Sequence, residues 1–375
     1  MNYWFLRYSE TERIMSKVAL ITDLHCGWKN DSRVFLDYFL KFFDTVFFPE
    51  LEKRDIKDII MLGDFWDRRK YVNFHTLYTV RERLLEKLIK YNNHFIIGNH
   101  DTSFRDTNAV NSIRELCSHY PNLNIYEEPE EVTIGGRRML FVPWLNPLNM
   151  GPGLEMVKNS KAQVLMGHLE IAGFHYDRAT LCQHGLDKSI FNKFKHVFSG
   201  HFHTQSKDGN IHYLGSPYEM TFADVGDDRG FHIFDTNTLD LEFIQNPYRM
   251  FHRITYDDRD TSKHTSLLTE DFSGYEGTQV KVLVHHKTDP YLYERWLTRL
   301  EEANPDSLQP IETFSLEIDE SVDEQFGNFE QGEVLLTDTL QVLFSYVDGI
   351  QIELDKDRMK NLVQELYMMA QKVSG

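Results

Sequence analysis

Three apolar runs near the start of the chain stop in the same way. KVALIT (17–22) gives way to Asp23 and His25, DIIML (58–62) to Gly63, Asp64 and Asp67, and HFII (94–97) to Gly98, Asn99, His100 and Asp101. Each run has the length and composition of a buried strand. Between them lie helix-length segments, one from about Val34 to Phe48 and one over 75–91. In the second, Leu77, Val80, Leu84, Leu88 and Tyr91 share a face. A β-α-β-α-β order demands a parallel sheet with both faces covered. The carboxyl ends of its strands, where these polar residues fall, are where such sheets bind ligands.

The pattern recurs further on, where VLM leads to Gly167 and His168, and VFS to Gly200, His201 and His203. From Glu131 to Pro143 and from Phe194 to Ile244 short strands with glycine turns predict a second sheet. The expected fold is therefore α/β, a two-sheet sandwich flanked by helices, over a catalytic domain of residues 15–248. A composition change near Arg249 opens a small α/β cap, 249–313, in which TQVKVLVHH reads as strand and DPYLYERWLTRLEEAN as helix. Residues 314–333 are acidic and poor in core formers, as expected of a linker. The final segment, 334–375, carries Met359, Leu362, Val363, Leu366, Met369 and Val373 on one helical stripe, with Asp355 as its N-cap. Lying beyond the linker, that stripe is suited to docking on a partner. Because Met15 directly precedes SKVALITD, residues 1–14 read as a mis-called start or a disordered tail.

The formal net charge of −18 argues against a protein that grips nucleic acid with its overall field, although a local positive site remains compatible with it. Three scattered cysteines, Cys26, Cys117 and Cys182, make no disulfide framework and fit a reducing, cytoplasmic setting. No segment has the length and apolarity of a membrane span. Asp, Asn and His ligands without thiolate suit Mn²⁺, Fe²⁺ or Zn²⁺ rather than a structural zinc site. Seven candidate ligands, Asp23, His25, Asp64, Asn99, His168, His201 and His203, exceed what one ion uses, so two ions sharing Asp64 are expected. Asp23 with His25, and His201 with His203, are spaced by two, which in extended backbone aims each pair to one side. Taken singly, an Asp at a strand end is a cap and a lone His a satisfied surface or core residue; five such clusters in order are a joint signal.

D-x-H, GD-x-x-D-R, GNH-D, GH and GH-x-H in that order resemble the calcineurin-like metallophosphoesterase superfamily, over roughly residues 17–245. Within it, GNHD, the run YLGSPYEMTFAD before DRGF, and a small cap with a helical tail resemble the nuclease subunits of SbcCD-type ATPase–nuclease complexes. The RRK after Asp67, VPW (142–144) and HGL (184–186) are similar to the T-even-type phage recombination endonuclease branch. The resemblance implies a metal-dependent DNA exonuclease and endonuclease of recombination and repair, hydrolysing phosphodiesters with a water activated by two metals. Mn²⁺ is the expected ion, with Mg²⁺, Fe²⁺ or Zn²⁺ as alternatives. One ion would take Asp23, His25, Asp64 and His203, the other Asp64, Asn99, His168 and His201. His100 would serve the leaving oxygen, and Asp67 would accept a hydrogen bond from His100 and orient it. Most cellular members of the nuclease family carry His where this chain has Asp67. Asp101 reads as a turn or cap residue. Implied partners are DNA, a coiled-coil ATPase subunit bound through the C-terminal helix, and a second copy in a homodimer. A phosphatase or cyclic-nucleotide phosphodiesterase of the same superfamily is the alternative. Arg68, Arg69 and Lys70 read equally as contacts to substrate phosphates or as a solvated approach to the next helix.

Overall fold

The computed structural model describes residues 17–176 and 181–312, with residues 356, 358–360 and 362 beyond them. The chain divides into two compact units, Met1–Leu316 and Glu317–Gly375. The expectations for residues 1–14 and 314–333 lie outside the described residues. So does most of the 334–375 segment, of which Lys356, Arg358, Met359, Lys360 and Leu362 are helical.

Strands β1 (Lys17–Ile21), β2 (Asp58–Met61), β3 (Asn92–Ile96) and β4 (Leu123–Tyr126) run parallel in that order. A second six-stranded sheet follows, made of β5 (Glu130–Ile134), β6 (Arg137–Val142), β7 (Val164–His168), β8 (His196–Gly200), β9 (Ser206–Asp208) and β10 (Ile211–Tyr213), ordered β5-β6-β7-β8-β10-β9. The next two strands, β11 (Gly230–Asp235) and β12 (Leu241–Gln245), return to the first sheet, where β11 lies antiparallel beside β1. The expectation that everything from 194 to 244 belongs to the second sheet is thus corrected. The glycine-punctuated rhythm of these strands is the same on either side of the crossing, and their partner is set by contacts distant in sequence.

Alternation explains how the layers mate. In β1, Val18 and Leu20 face the second sheet and join Ile60, Ile96, Phe141, Met166 and Phe198 in the core between the sheets. Ala19 and Ile21 face the other way, into a core with Phe35, Phe39 and Phe42 of helix α1 (Arg33–Phe42). Side chains two apart on a strand share a face, so a run that is apolar throughout must be covered twice. Helix α2 (Phe74–Val80) begins where the Asn73 side chain accepts from the His75 amide, and helix α3 (Ser112–Cys117) where Asn111 accepts from Arg114. Helix α4 (Met150–Asn159) covers the outer face of the second sheet, placing Val157 in a core with Leu140, Leu165 and Val197.

Residues 251–312 build a third sheet, all parallel, from β13 (Phe251–Asp257), β14 (Gln279–His286) and β15 (Ser307–Glu312). Helix α5 (Pro290–Glu302) buries Trp296 and Leu300 against Val280, Val282 and Tyr256. Its start is set by the Asp289 carboxylate, which accepts from the amides of Tyr291 and Leu292, with proline in the first turn.

Candidate metal centre

All five polar clusters meet at one place, where the carboxyl ends of β1, β2 and β3 face those of β7 and β8. Asp23, His25 and His203 form one group, and Asp64, His168 and His201 another, each with ligand atoms within 4.8 Å of one another. Asp64 lies between them: its Oδ2 is 3.7 Å from His25 Nε2 and 3.3 Å from His168 Nε2. Asn99 joins the second group, its Oδ1 lying 2.9 Å from both His168 Nε2 and His201 Nδ1.

The strands do not simply run on into this cluster. Asp23, His25, Asp64 and His201 all adopt positive φ, at 54°, 42°, 54° and 90°. Left-handed backbone is costly for residues with a Cβ and is seen where surrounding structure holds it. It also overturns the spacing argument for the two pairs. Asp23 and His25 converge through a turn rather than along extended backbone. His201 and His203 separate, one to each group.

Close approach is permitted by glycines. A Cβ on Gly98 would meet Asp64 Oδ1 at 2.2 Å, and one on Gly200 would meet Thr22 Oγ1 at 2.0 Å. Asp101 then ties the crossing loops together. Its buried carboxylate accepts from the amides of Asp64, Phe65, Trp66 and Gly98 at 2.9–3.2 Å. Burial and the neighbouring Asp64 charge push this carboxyl up to about 7, while the amide donors pull the other way. Its reach to the β2 loop exceeds that of the turn or cap residue expected from sequence.

His100 shows a further departure. Its Nδ1 lies 2.6 Å from the main-chain carbonyl of Asp67, not from the carboxylate. The Asp67 carboxylate instead approaches His25 Nδ1 at 3.3 Å, so the expected His100–Asp67 side-chain bond is corrected. The Asp67 amide is bound to the Cys26 carbonyl at 3.1 Å, which places its side chain beside the neighbouring His25. A carboxylate on one ring nitrogen fixes the tautomer and leaves the other nitrogen as the donor to a metal.

The electrostatics suit cations. Burial opposes charge on Asp64, but the His168, His25 and His100 rings hold its carboxyl well below the usual range. Burial likewise opposes charge on His168, yet Asp64 lifts it to about 9. Burial and the facing His25 keep His203 unprotonated, with the two Nε2 atoms 3.1 Å apart. Buried carboxylates, an amide oxygen and imidazole lone pairs aimed at shared points are the donor set of a divalent transition-metal site. The residues present fit divalent metal.

Glu170 was not singled out from sequence. Two residues after His168, its Oε2 lies 3.6 Å from His201 Nε2 and its Oε1 accepts from the Tyr176 hydroxyl at 2.7 Å. The His201 contact holds the Glu170 carboxyl down at about 2. Trp144 stands beside the same histidine, ring centroids 5.2 Å apart. His175 and His184 are exposed and join neither group. Cys26 is buried, its thiol pushed up by burial, and has a packing role.

Exonuclease subunit 1 of Enterobacteria phage T4 is 31% identical over 324 residues, spanning 85% of this chain and 89% of that protein. A solved glutamine-dependent NAD⁺ synthetase from Acinetobacter baumannii is 9% identical, with a TM-score of 0.25 over 88% of this chain and 71% of that one, a likeness too low to carry an argument. The profile of the calcineurin-like phosphoesterases matches residues 16–205, which span the five clusters. With half of its length in that match, the chain belongs to the calcineurin-like phosphoesterase family.

Proposed function

We propose that the chain is a DNA exonuclease and endonuclease that hydrolyses phosphodiester bonds at a two-metal centre, with Mn²⁺ as the metal. The observation that carries this is Asp64 standing between two histidine groups, each large enough for one ion. Asp23, His25, Asp64 and His203 would hold the first, and Asp64, Asn99, His168 and His201 the second. When bound, such a pair polarises phosphoryl oxygens and lowers the pKa of water.

The remaining steps belong to side chains. Asp67 steadies His25 through Nδ1, and Asp101 holds the β2 and β3 loops at their spacing. His100 donates from Nδ1 to the Asp67 carbonyl, which leaves Nε2 as the atom that exchanges a proton with the leaving oxygen. To serve as the acid, His100 must first hold a solvent-derived proton on Nε2; burial, which holds it below the usual histidine range, makes that proton readily given to the leaving oxygen and leaves the ring neutral.

The likeness to a phage exonuclease subunit supports DNA as substrate and a partner subunit. In this reading the chain acts in recombination and repair in the host cytoplasm, as a homodimer, with its 334–375 segment docked on a coiled-coil ATPase. The test is a nuclease assay on DNA ends with Mn²⁺, with and without the ATPase subunit. Chelator-sensitive degradation, stimulated by the partner, is expected. Hydrolysis of small phosphomonoesters with DNA left intact would support a phosphatase instead.

A further inference from the structure

The two arginines that follow Asp67 part company. Arg68 is engaged: its Nη1 lies 3.1 Å from Asp31 Oδ2, its Nη2 2.6 Å from Asn30 Oδ1, and its guanidinium covers the Tyr71 ring at 5.0 Å. Arg69 is not. Its Nη1 is buried without a hydrogen-bond partner, and among the described residues no carboxylate pairs with it. Its charge lies within electrostatic reach of Asp64 and of Arg105, a second cation. Arg105 sits exposed on the loop that follows Asp101.

Two guanidinium groups from separate loops therefore lie within electrostatic reach of each other, neither with an ion-pair partner among the described residues, and one of them within reach of the site's central carboxylate. Such forks match phosphate oxygens two at a time. We propose that Arg69 and Arg105 together hold a backbone phosphate of the DNA strand, one that flanks the phosphodiester being cut. The inference rests on the nuclease reading above. The flanking position follows from depth: Asp23, Asp64 and His168 are buried, whereas Arg105 is exposed. A clamp of this kind gives an acidic chain of net charge −18 a local grip on a polyanion.

The test uses the full chain with Mn²⁺ and two substrates, an oligonucleotide and bis(p-nitrophenyl) phosphate, which has one phosphodiester and no flanking phosphate. Arg69→Ala and Arg105→Ala should each raise KM for the oligonucleotide about tenfold, reduce the salt slope by roughly one, and leave kcat nearly unchanged. KM for the small ester and the bound Mn²⁺ should not move. Arg69→Lys, which keeps the charge without the fork, should recover part of the loss. Lys90→Ala, at the amino end of β3 and away from the site, is the control for general surface charge. Equal losses on both substrates would place the arginines on the scissile phosphate. Unchanged KM on both, or an equal effect of Lys90→Ala, would leave them as solvated cations. Either result overturns the inference. A wild-type chain that cleaves the small ester but not the oligonucleotide would overturn the nuclease reading itself, and the inference with it.

Discussion

At the scale of single residues, Asp64 and His100 carry opposite expectations although the His100 amide donates to Asp64 Oδ1 at 2.7 Å. Asp64→Ala should strip metal from both positions, read as Mn²⁺ per chain, and abolish turnover. His100→Ala should keep its metal and lose about 10²–10⁴ in kcat, the usual loss for a proton-transfer group. Loss of metal in the second variant would make His100 a ligand. The candidate ligands were legible because each follows an apolar run, and the turn chemistry there serves no packing need. Glu170 was not, since one carboxylate two places after a histidine carries no mark of what it will touch. Asp67 was read with the wrong partner: sequence spacing says nothing about whether its carbonyl or its carboxylate meets His100.

Elements place these groups by crossing closely at their ends, and glycine sets how closely. Gly98→Ala would drive a methyl group into the Asp64 carboxylate and amide. The expected cost is about 1–3 kcal/mol of stability, the usual price of overpacking. Mn²⁺ affinity should fall at both positions, because Asp64 serves both. A denaturant midpoint together with an Mn²⁺ titration checks this, and an unchanged affinity would show that the loop yields without moving Asp64. Strands β1 to β3 were legible as buried runs. β15 was not, for SLQPIE contains proline and shows no clean alternation, as an edge strand can. The return of β11 to the first sheet is a pairing between residues about two hundred apart, which no local pattern records.

For the whole molecule, three buried histidines contribute a loss of stability in acid, while the raised Asp101 carboxyl, protonated first in the folded state, pulls the other way. His196, His212 and His232 lie on β8, β10 and β11, and burial holds all three below the usual range, His212 and His232 at about 4. Lys207 and Lys195 add to the effect on His196, and Lys207 and His196 to that on His212. As pH falls below 6.5 the unfolded chain takes up protons that the folded sheets refuse, so stability is lost between 6.5 and about 4. For His232 alone a shift from 6.5 to about 4 corresponds to about 3 kcal/mol. Across that window the melting temperature of chelated His232→Gln should fall less, or rise more, than that of the unaltered chain; parallel profiles would exclude His232 as a source. The placement of the metal centre has a consequence at this scale too. Asp23, His25, Asp64 and Asn99 come from the first sheet, His168, His201 and His203 from the second. Ions held there would rivet two layers whose facing core is apolar and whose polar ties are few, so a cofactor chosen for hydrolysis would double as a fastener of the fold.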